Sequence, residues 1–120
     1  MSAARTYLDY LDDILGAIDD CSAFIQGMDE AAFRADRRTV YAVTRALEII
    51  GEATKRIPPD IQARYPDVPW RFMARLRDRI IHGYDTVDSA IVWQTLTTDI
   101  PPTRSLVQYA IAQERRASQP

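Results

Sequence analysis

The stretch "RLRDRIIHGYDTVD", from Arg75 to Asp88, contains side chains that could cleave a phosphodiester. His82 is the only histidine of the chain, and Arg77 and Tyr84 flank it. Phosphodiester cleavage needs a group that transfers protons near neutral pH and a fixed positive charge where the phosphorane builds negative charge. A histidine, an arginine and a phenol supply these groups, so this stretch is the candidate reaction centre.

The spacing predicts how one helix would arrange these side chains. Asp78 and His82 are four residues apart, so on a continuous helix they share a face, and the carboxylate would fix the tautomer of the imidazole. Arg77 lies about 140° around an ideal helix from His82, and only its length would let it reach a shared phosphate. Tyr84 joins the face of Arg77 only if the helix continues past Gly83. We assign Arg77 and His82 as catalytic candidates and Asp78 as a supporting residue.

An ordinary helix end gives a competing interpretation of the same residues. A histidine before Gly83 interacts well with the last carbonyls of a helix, where a glycine is a natural C-terminal residue. The arginines of this stretch have an ordinary interpretation too, because arginines on an amphipathic helix are typical of a solvated face. From the residue types alone, both interpretations stay open.

The charge of the chain is unevenly distributed. The net charge is −2, so the chain as a whole does not have the basic composition of many nucleic-acid-binding proteins. From residue 1 to residue 30, however, seven acidic residues stand against one arginine, whereas from 60 to 82 five arginines stand against three aspartates. Because a polyanion responds to the local field, a weakly acidic protein can carry one basic face.

Apolar residues recur at spacings of three and four and predict helices. These helices run from Tyr7 to about Ile25, from about Asp36 to Ile57, from Trp70 to Gly83, and from Asp85 or Thr86 onward. A shorter helical segment covers Asp60 to Tyr65, after Pro58 and Pro59 end the second helix. Gly51 inside the second helix costs stability unless another helix approaches closely there. Pro101 and Pro102 either kink or restart the last helix, with Asp99 available as an N-cap.

This pattern predicts an all-α bundle of four long helices plus a short one, in a single domain of residues 1–120. Its core spans about residues 5–112, and the polar end "ERRASQP" is expected to be frayed. We see no run of ~20 apolar residues and no signal pattern, so we expect a cytoplasmic protein without a membrane partner.

Several site classes are disfavoured by the residues present. The single cysteine, Cys21, cannot form an intrachain disulfide or a cysteine-cluster metal site, and we expect it to be a small buried or half-buried side chain. Glu48 and Glu52 are four apart on one predicted face, but without Glu-x-x-His units a di-metal bundle is disfavoured. There is no Gly-rich phosphate loop, and we expect neither a metal nor another cofactor.

The segment "RDRIIHGY" resembles the Arg-x4-His-x-Tyr signature of HepT-like toxins, a branch of the HEPN superfamily of helical ribonucleases. The match falls on Arg77, His82 and Tyr84. Supporting similarity lies in "ALEIIGEATKRIP", in "PW" before the motif helix and in "AIVWQTLTTDIP", so that the resemblance covers about residues 5–112. Many members have asparagine after the motif arginine, whereas this chain has Asp78, whose charge opposes phosphate if it points into the site.

The resemblance implies a HEPN-type bundle that forms a two-fold homodimer with a composite site. It implies a toxin of a toxin–antitoxin system that cleaves RNA without metal: His82 would assist attack by the ribose 2′-hydroxyl, and Arg77 would stabilise the phosphate. Arg71, Arg75 and Arg79 would be candidates for contacts with the RNA backbone. The products would be a 2′,3′-cyclic phosphate and a 5′-hydroxyl. It also implies a partner, a minimal nucleotidyltransferase antitoxin that neutralises the toxin by transferring AMP to Tyr84.

Two other functions remain open at this point. One is a HEPN-fold interaction module with weak or no nuclease activity that binds a nucleotidyltransferase, which Asp78 and the overall acidity favour. The other is a nucleotide- or ligand-binding helical protein of unrelated activity. Growth arrest by the unmodified chain would favour the toxin over the interaction module.

Overall fold

The computed structural model describes residues 4–82 and 86–119, which form helices around one hydrophobic core. Three helices of 18 residues frame it: α1 (Tyr7–Phe24), α3 (Arg37–Thr54) and α8 (Ile100–Ala117). The shorter ones are α2 (Glu30–Ala35), α4 (Pro59–Arg64), α5 (Trp70–Ala74), α6 (Leu76–Ile80) and α7 (Ser89–Gln94). The predicted all-α class is confirmed. In the described part of the chain, none of these helices is long and apolar enough to cross a membrane.

Aspartate caps explain where α2 and α3 begin. Asp29 accepts a hydrogen bond from the backbone N–H of Ala32 at 2.8 Å, and Asp36 accepts one from that of Thr39 at 3.3 Å. Each bond satisfies an amide that has no partner within its helix. Helix α2 was not predicted because its six residues are too few to show an apolar period, although Asp29 is the cap signal that could have revealed it.

The predicted third helix is interrupted, although its apolar stripe is correct. The stripe is buried throughout: Trp70, Met73, Leu76 and Ile80. Arg75, at φ −102° and ψ 10°, separates α5 from α6. The prediction that this helix continues to Gly83 is wrong, because Ile81 takes extended angles and forms an antiparallel bridge with Val87. Gly83 itself lies outside the described residues.

Gly51 allows α3 and α5 to pack with their backbones in contact. A Cβ atom placed on Gly51 would lie 3.3 Å from the carbonyl oxygen of Met73 and 3.7 Å from that of Ala74. The close approach predicted for this glycine is therefore confirmed, and it is with the segment that leads into the candidate site.

The last helical region opens later than predicted. It begins at Ser89, where Asp88 caps α7 by accepting a hydrogen bond from the N–H of Ile91 at 3.1 Å. Thr86, one of the predicted starts, is not helical, and Asp85, the other, lies outside the described residues.

A π-helical segment, Thr95–Asp99, connects α7 to α8. It precedes Pro101 and Pro102, which lack amide donors and occupy the first turn of α8. The N–H of Ile100 bonds back five residues to the carbonyl of Thr95, and this wider register carries the helical path up to the prolines. The prolines thus start α8 afresh, but the expected cap at Asp99 is wrong because that residue is helical and its side chain accepts no capping bond.

Most of the polar C-terminal segment that was expected to be frayed is helical. Helix α8 continues to Ala117, and Glu114 is only 3% exposed. Its carboxylate accepts hydrogen bonds from the hydroxyl of Tyr7 at 2.9 Å, the guanidinium of Arg64 at 2.9 Å and the hydroxyl of Tyr65 at 2.5 Å. These four side chains, the Glu114 cluster, tie α8 to α1 and to the end of α4.

Two acidic residues of α1 are neutralised within the chain. Asp19 pairs with Arg104 at 2.6 Å, and Asp12 pairs with Arg115. The later residue of α1 pairs with the earlier residue of α8, so the two helices run antiparallel. Because all four side chains are substantially exposed, each pair adds little stability and serves mainly to fix the register of the two helices.

Candidate active site

The backbone around His82 is held by hydrogen bonds from both sides. The N–H of His82 donates to the carbonyl of Thr86 at 2.9 Å, and the N–H of Asp88 donates to the carbonyl of Ile80 at 3.1 Å. These bonds connect the end of α6 with the start of α7. His82 is therefore fixed through its backbone, while the residue as a whole is exposed.

The imidazole of His82 takes no part in holding the fold. Among the described residues it forms no hydrogen bond or ion pair, either with Asp78 or with the carbonyls that end α6. The expected shared helix face is wrong because α6 ends at Ile80 and Ile81 is extended. Asp78 is exposed as well and has no side-chain partner in residues 4–82 and 86–119. The imidazole is thus free to contact a bound ligand.

Arg77 extends from α6 with most of its side chain in solvent. Its side chain is 60% exposed, and its Nε lies 3.8 Å from Oε2 of Glu48 on α3. This distance is too long for a hydrogen bond, so the contact is a loose ion pair. A phosphate that forms a bidentate bond with the guanidinium would make a stronger interaction than this one.

Arg79 is the most firmly held of the candidate arginines. Its Nε donates to the hydroxyl of Thr95 at 3.3 Å, and its Nη2 lies 3.9 Å from Oδ2 of Asp99. Its guanidinium also lies over the ring of Phe72, 5.5 Å from the centroid. Arg79 therefore anchors α6 to the π-helical segment, which the sequence did not reveal because both polar partners lie many residues further along the chain.

Arg71 and Arg75 are exposed and form no ion pair or hydrogen bond through their side chains within the described part of the chain. Together with Phe72 and Arg79 they line a surface groove of about 350 Å³, here called the arginine groove. Three of its four residues are the arginines that the family resemblance suggested for RNA contacts. Phe72 was not among the predicted site residues, although its position beside Arg71 and near Arg75 could have indicated an aromatic residue within a basic surface.

Three other side chains with shifted pKa values lie in the core or in the Glu114 cluster. Burial raises the pKa of the Cys21 thiol to about 12, so it is not a reactive nucleophile, and its predicted burial is confirmed. Burial tends to raise the pKa of Glu114, but hydrogen bonds from Tyr65, Tyr7 and Arg64 outweigh it and lower the pKa. Burial, followed by the bond to Glu114, raises the pKa of Tyr65 to about 12.

Two further expectations concern the modification site and metal binding. Tyr84, the predicted modification site, lies outside the described residues. Within residues 4–82 and 86–119, no three histidine, cysteine, aspartate or glutamate side chains converge as a group that could hold a metal ion.

The known proteins that this chain resembles are described as ribonucleases. The family described as "Ribonuclease HepT-like" matches residues 14–110. The chain is 47% identical to "Probable ribonuclease HepT" of Thermococcus cleftensis over 97 residues, which are 81% of this chain and 88% of that protein. It is 45% identical to a "Putative RNase" of Methanocaldococcus jannaschii over 77% of this chain and 79% of that protein. A "Putative RNase" of Caldanaerobacter subterraneus is 32% identical over 92% of this chain and 99% of its own length. No solved structure matches the chain.

Proposed function

The chain belongs to the HepT-like ribonuclease family, and we propose that it is a metal-independent endoribonuclease whose reaction centre contains Arg77 and His82. The observation that carries the proposal is the state of the only histidine. Its backbone is fixed by a hydrogen bond to Thr86, yet its imidazole is exposed and has no partner among the described residues. A fixed residue with a free imidazole is suited to proton transfer at a bound substrate.

The proposed reaction is an attack within the RNA strand. His82 accepts the proton of a ribose 2′-hydroxyl as its oxygen bonds to the adjacent phosphorus. The bond from phosphorus to the 5′-oxygen then breaks, and that oxygen takes up a proton. Arg77 stabilises the negative charge of the phosphorane. The products are a 2′,3′-cyclic phosphate and a 5′-hydroxyl, and DNA, which lacks the 2′-hydroxyl, is not cut.

A second copy of the chain would complete this centre. One histidine cannot act at the same time as the base for the 2′-hydroxyl and as the acid for the leaving oxygen. A two-fold dimer that brings both copies of His82 to one cleft supplies both groups, and it doubles the positive charge contributed by Arg77. We therefore propose that the active species is a homodimer.

The biological role that we propose is that of a toxin with a nucleotidyltransferase antitoxin as its partner. The antitoxin would transfer AMP to Tyr84, two residues from His82. A bulky anion at that position would block the cleft and repel RNA. The expected phenotype is growth arrest by the chain alone and normal growth when the partner is co-expressed, with the added mass of AMP on the peptide that contains Tyr84.

Product chemistry tests the proposed reaction. A short RNA incubated with the protein should give fragments ending in a 2′,3′-cyclic phosphate, detected by mass spectrometry. The same oligonucleotide with one 2′-deoxyribose at the cut position should be resistant at that position while other cuts continue. Cleavage at the deoxyribose, or fragments that carry a 5′-phosphate, would contradict the mechanism.

A further inference from the structure

The arginine groove has no acidic residue in its lining. Its volume of about 350 Å³ is that of a small-ligand site, and its four lining residues are Arg71, Phe72, Arg75 and Arg79. Three guanidinium groups around one ring form a surface that is positive and in part apolar. This combination fits a ligand that has both an anionic and a flat aromatic part.

The positive charge of this groove is only partly neutralised. Arg79 is committed to Thr95 and Asp99, but Arg71 and Arg75 have no side-chain partner in the described residues. Free guanidinium groups bind phosphate through bidentate hydrogen bonds, and each contact displaces a condensed counterion from a nucleic acid. Arg71 and Arg75 are therefore the side chains available for a phosphate.

The aromatic wall of the groove is held in place. Phe72 packs partly against the hydrophobic core, and the guanidinium of Arg79 lies over its ring. Arg79 is itself fixed by the hydroxyl of Thr95. Unpaired RNA bases stack on aromatic rings and on guanidinium planes, and Phe72 and Arg79 supply one of each.

The groove is also close to the candidate reaction centre along the chain. Arg79 precedes His82 by three residues, so their Cα atoms are at most about 11 Å apart. We propose that the arginine groove binds one unpaired nucleotide of the RNA beside the cleaved bond, with its base stacked at Phe72 and its phosphate on Arg71 and Arg75. This proposal rests on the proposed ribonuclease function and assigns its substrate as single-stranded at that position.

The first test replaces the ring. Phe72→Leu keeps an apolar side chain on the core but removes the stacking surface, so KM for a single-stranded RNA should rise about tenfold with kcat nearly unchanged. Phe24→Leu is the matched control, because Phe24 is 43% exposed at the end of α1 and lies outside the groove. Circular dichroism and gel filtration are used to check that both variants keep the fold and the oligomeric state of the wild type.

A second variant avoids any effect on packing. Arg75→Gln removes one exposed charge from the groove, and it should raise KM and flatten the logarithmic salt dependence of binding by about 0.7. Arg116→Gln removes one exposed charge near the end of α8, and it should change neither quantity. Equal effects of the two variants would mean that Arg75 acts only through the overall surface charge, and this would overturn the proposal.

An abasic scan of the substrate locates the base. Removing the base at one position should raise KM for the wild type about as much as Phe72→Leu does, and it should add little to that variant. If no position behaves in this way, the groove does not hold a base and the proposal fails.

The failure of the ribonuclease function would be seen separately. In that case the wild type would cut no RNA, whereas a failure of the groove alone leaves wild-type cleavage intact with unchanged KM in Phe72→Leu. Fluorescence anisotropy with a non-cleavable 2′-deoxy oligonucleotide tests the groove even without cleavage, because stacking and phosphate contacts need no 2′-hydroxyl. Equal affinities of wild type, Phe72→Leu and Arg75→Gln in that assay would overturn the groove proposal.

Discussion

Arg77, the residue proposed to stabilise the phosphate, is already in contact with another side chain of the protein. Its Nε lies 3.8 Å from the carboxylate of Glu48, so an incoming phosphate competes with an acid already nearby. If Arg77 binds the phosphate as proposed, this competition weakens the ground-state binding of RNA.

Removing the charge of Glu48 tests the competition. Glu48→Gln should lower KM for RNA about two- to fivefold at low salt, because one exposed charge pair is equivalent to less than about 1 kcal/mol. Glu52→Gln is a matched control on the same helix, since Glu52 pairs with Lys55 instead. Steady-state cleavage kinetics provide the measurement. If Glu48→Gln instead lowers kcat and leaves KM unchanged, Glu48 orients Arg77 rather than competing with RNA.

The residue types of the site could be predicted, but their contacts could not. Arg77 and His82 stand out because no other histidine is present and because arginine binds phosphate well. Whether Arg79 is free or anchored depends on Thr95, which is 16 residues further along the chain, and on Asp99. Such contacts follow from the packing of α6 on the π-helical segment, which local spacing does not encode.

At the scale of elements, the apolar period located the long helices well. The predicted first helix, Tyr7 to about Ile25, compares with Tyr7–Phe24 in the structure, and the predicted second, from about Asp36, compares with Arg37–Thr54. The break at Arg75 was not predictable from this signal, because the buried stripe stays in phase across it. Helix periodicity records which side is buried, not whether the backbone is continuous.

The close packing of α3 on α5 predicts opposite effects of the same substitution at two glycines. Gly16→Ala in α1 should stabilise the protein by about 0.5–1 kcal/mol, because nothing lies within 4 Å of the added Cβ. Gly51→Ala should instead destabilise it by about 1 kcal/mol, since a backbone carbonyl at 3.3 Å has little freedom to move away. Urea unfolding of both variants measures this difference. Equal stabilisation by both would mean that the α3–α5 contact is looser than described.

At the scale of the whole molecule, the Glu114 cluster joins the two ends of the chain. Glu114 bonds with Tyr7, 107 residues away, and with Arg64, 50 residues away. The sequence could not reveal this role, because a glutamate within a polar end gives no local sign of burial. The core that positions the α5–α6 region is thus closed by the segment expected to be frayed.

The cluster predicts a specific dependence of stability on pH. Glu114→Gln should destabilise the protein by about 2 kcal/mol at pH 7, because Arg64 loses its buried counter-charge and the two tyrosines lose a strong acceptor. Since the pKa of Glu114 is lowered from 4.5 in the folded state, its contribution is fully present above pH 4.5 and is lost as the pH falls through the folded value. The difference between wild type and variant should therefore narrow below about pH 4.5.

Asp12→Asn serves as the control for this prediction. Its partner Arg115 is also on α8, but both side chains are about half exposed, so the change should lower the free energy of unfolding much less than Glu114→Gln does. Denaturant unfolding at several pH values provides both comparisons. A gap between Glu114→Gln and wild type that stays constant down to pH 3 would contradict the assigned charge state of Glu114.

Cleavage of a mixed cellular RNA in EDTA is the most direct test of the central claim that Arg77 and His82 form a metal-independent nuclease centre. The proteins compared are wild type, His82→Ala and the surface control Arg116→Gln, after mass spectrometry has established that no AMP is attached to Tyr84. The account predicts cutting by wild type and Arg116→Gln and a loss of at least about 100-fold in His82→Ala. Equal cutting by His82→Ala, or no cutting by folded, unmodified wild type, would contradict it.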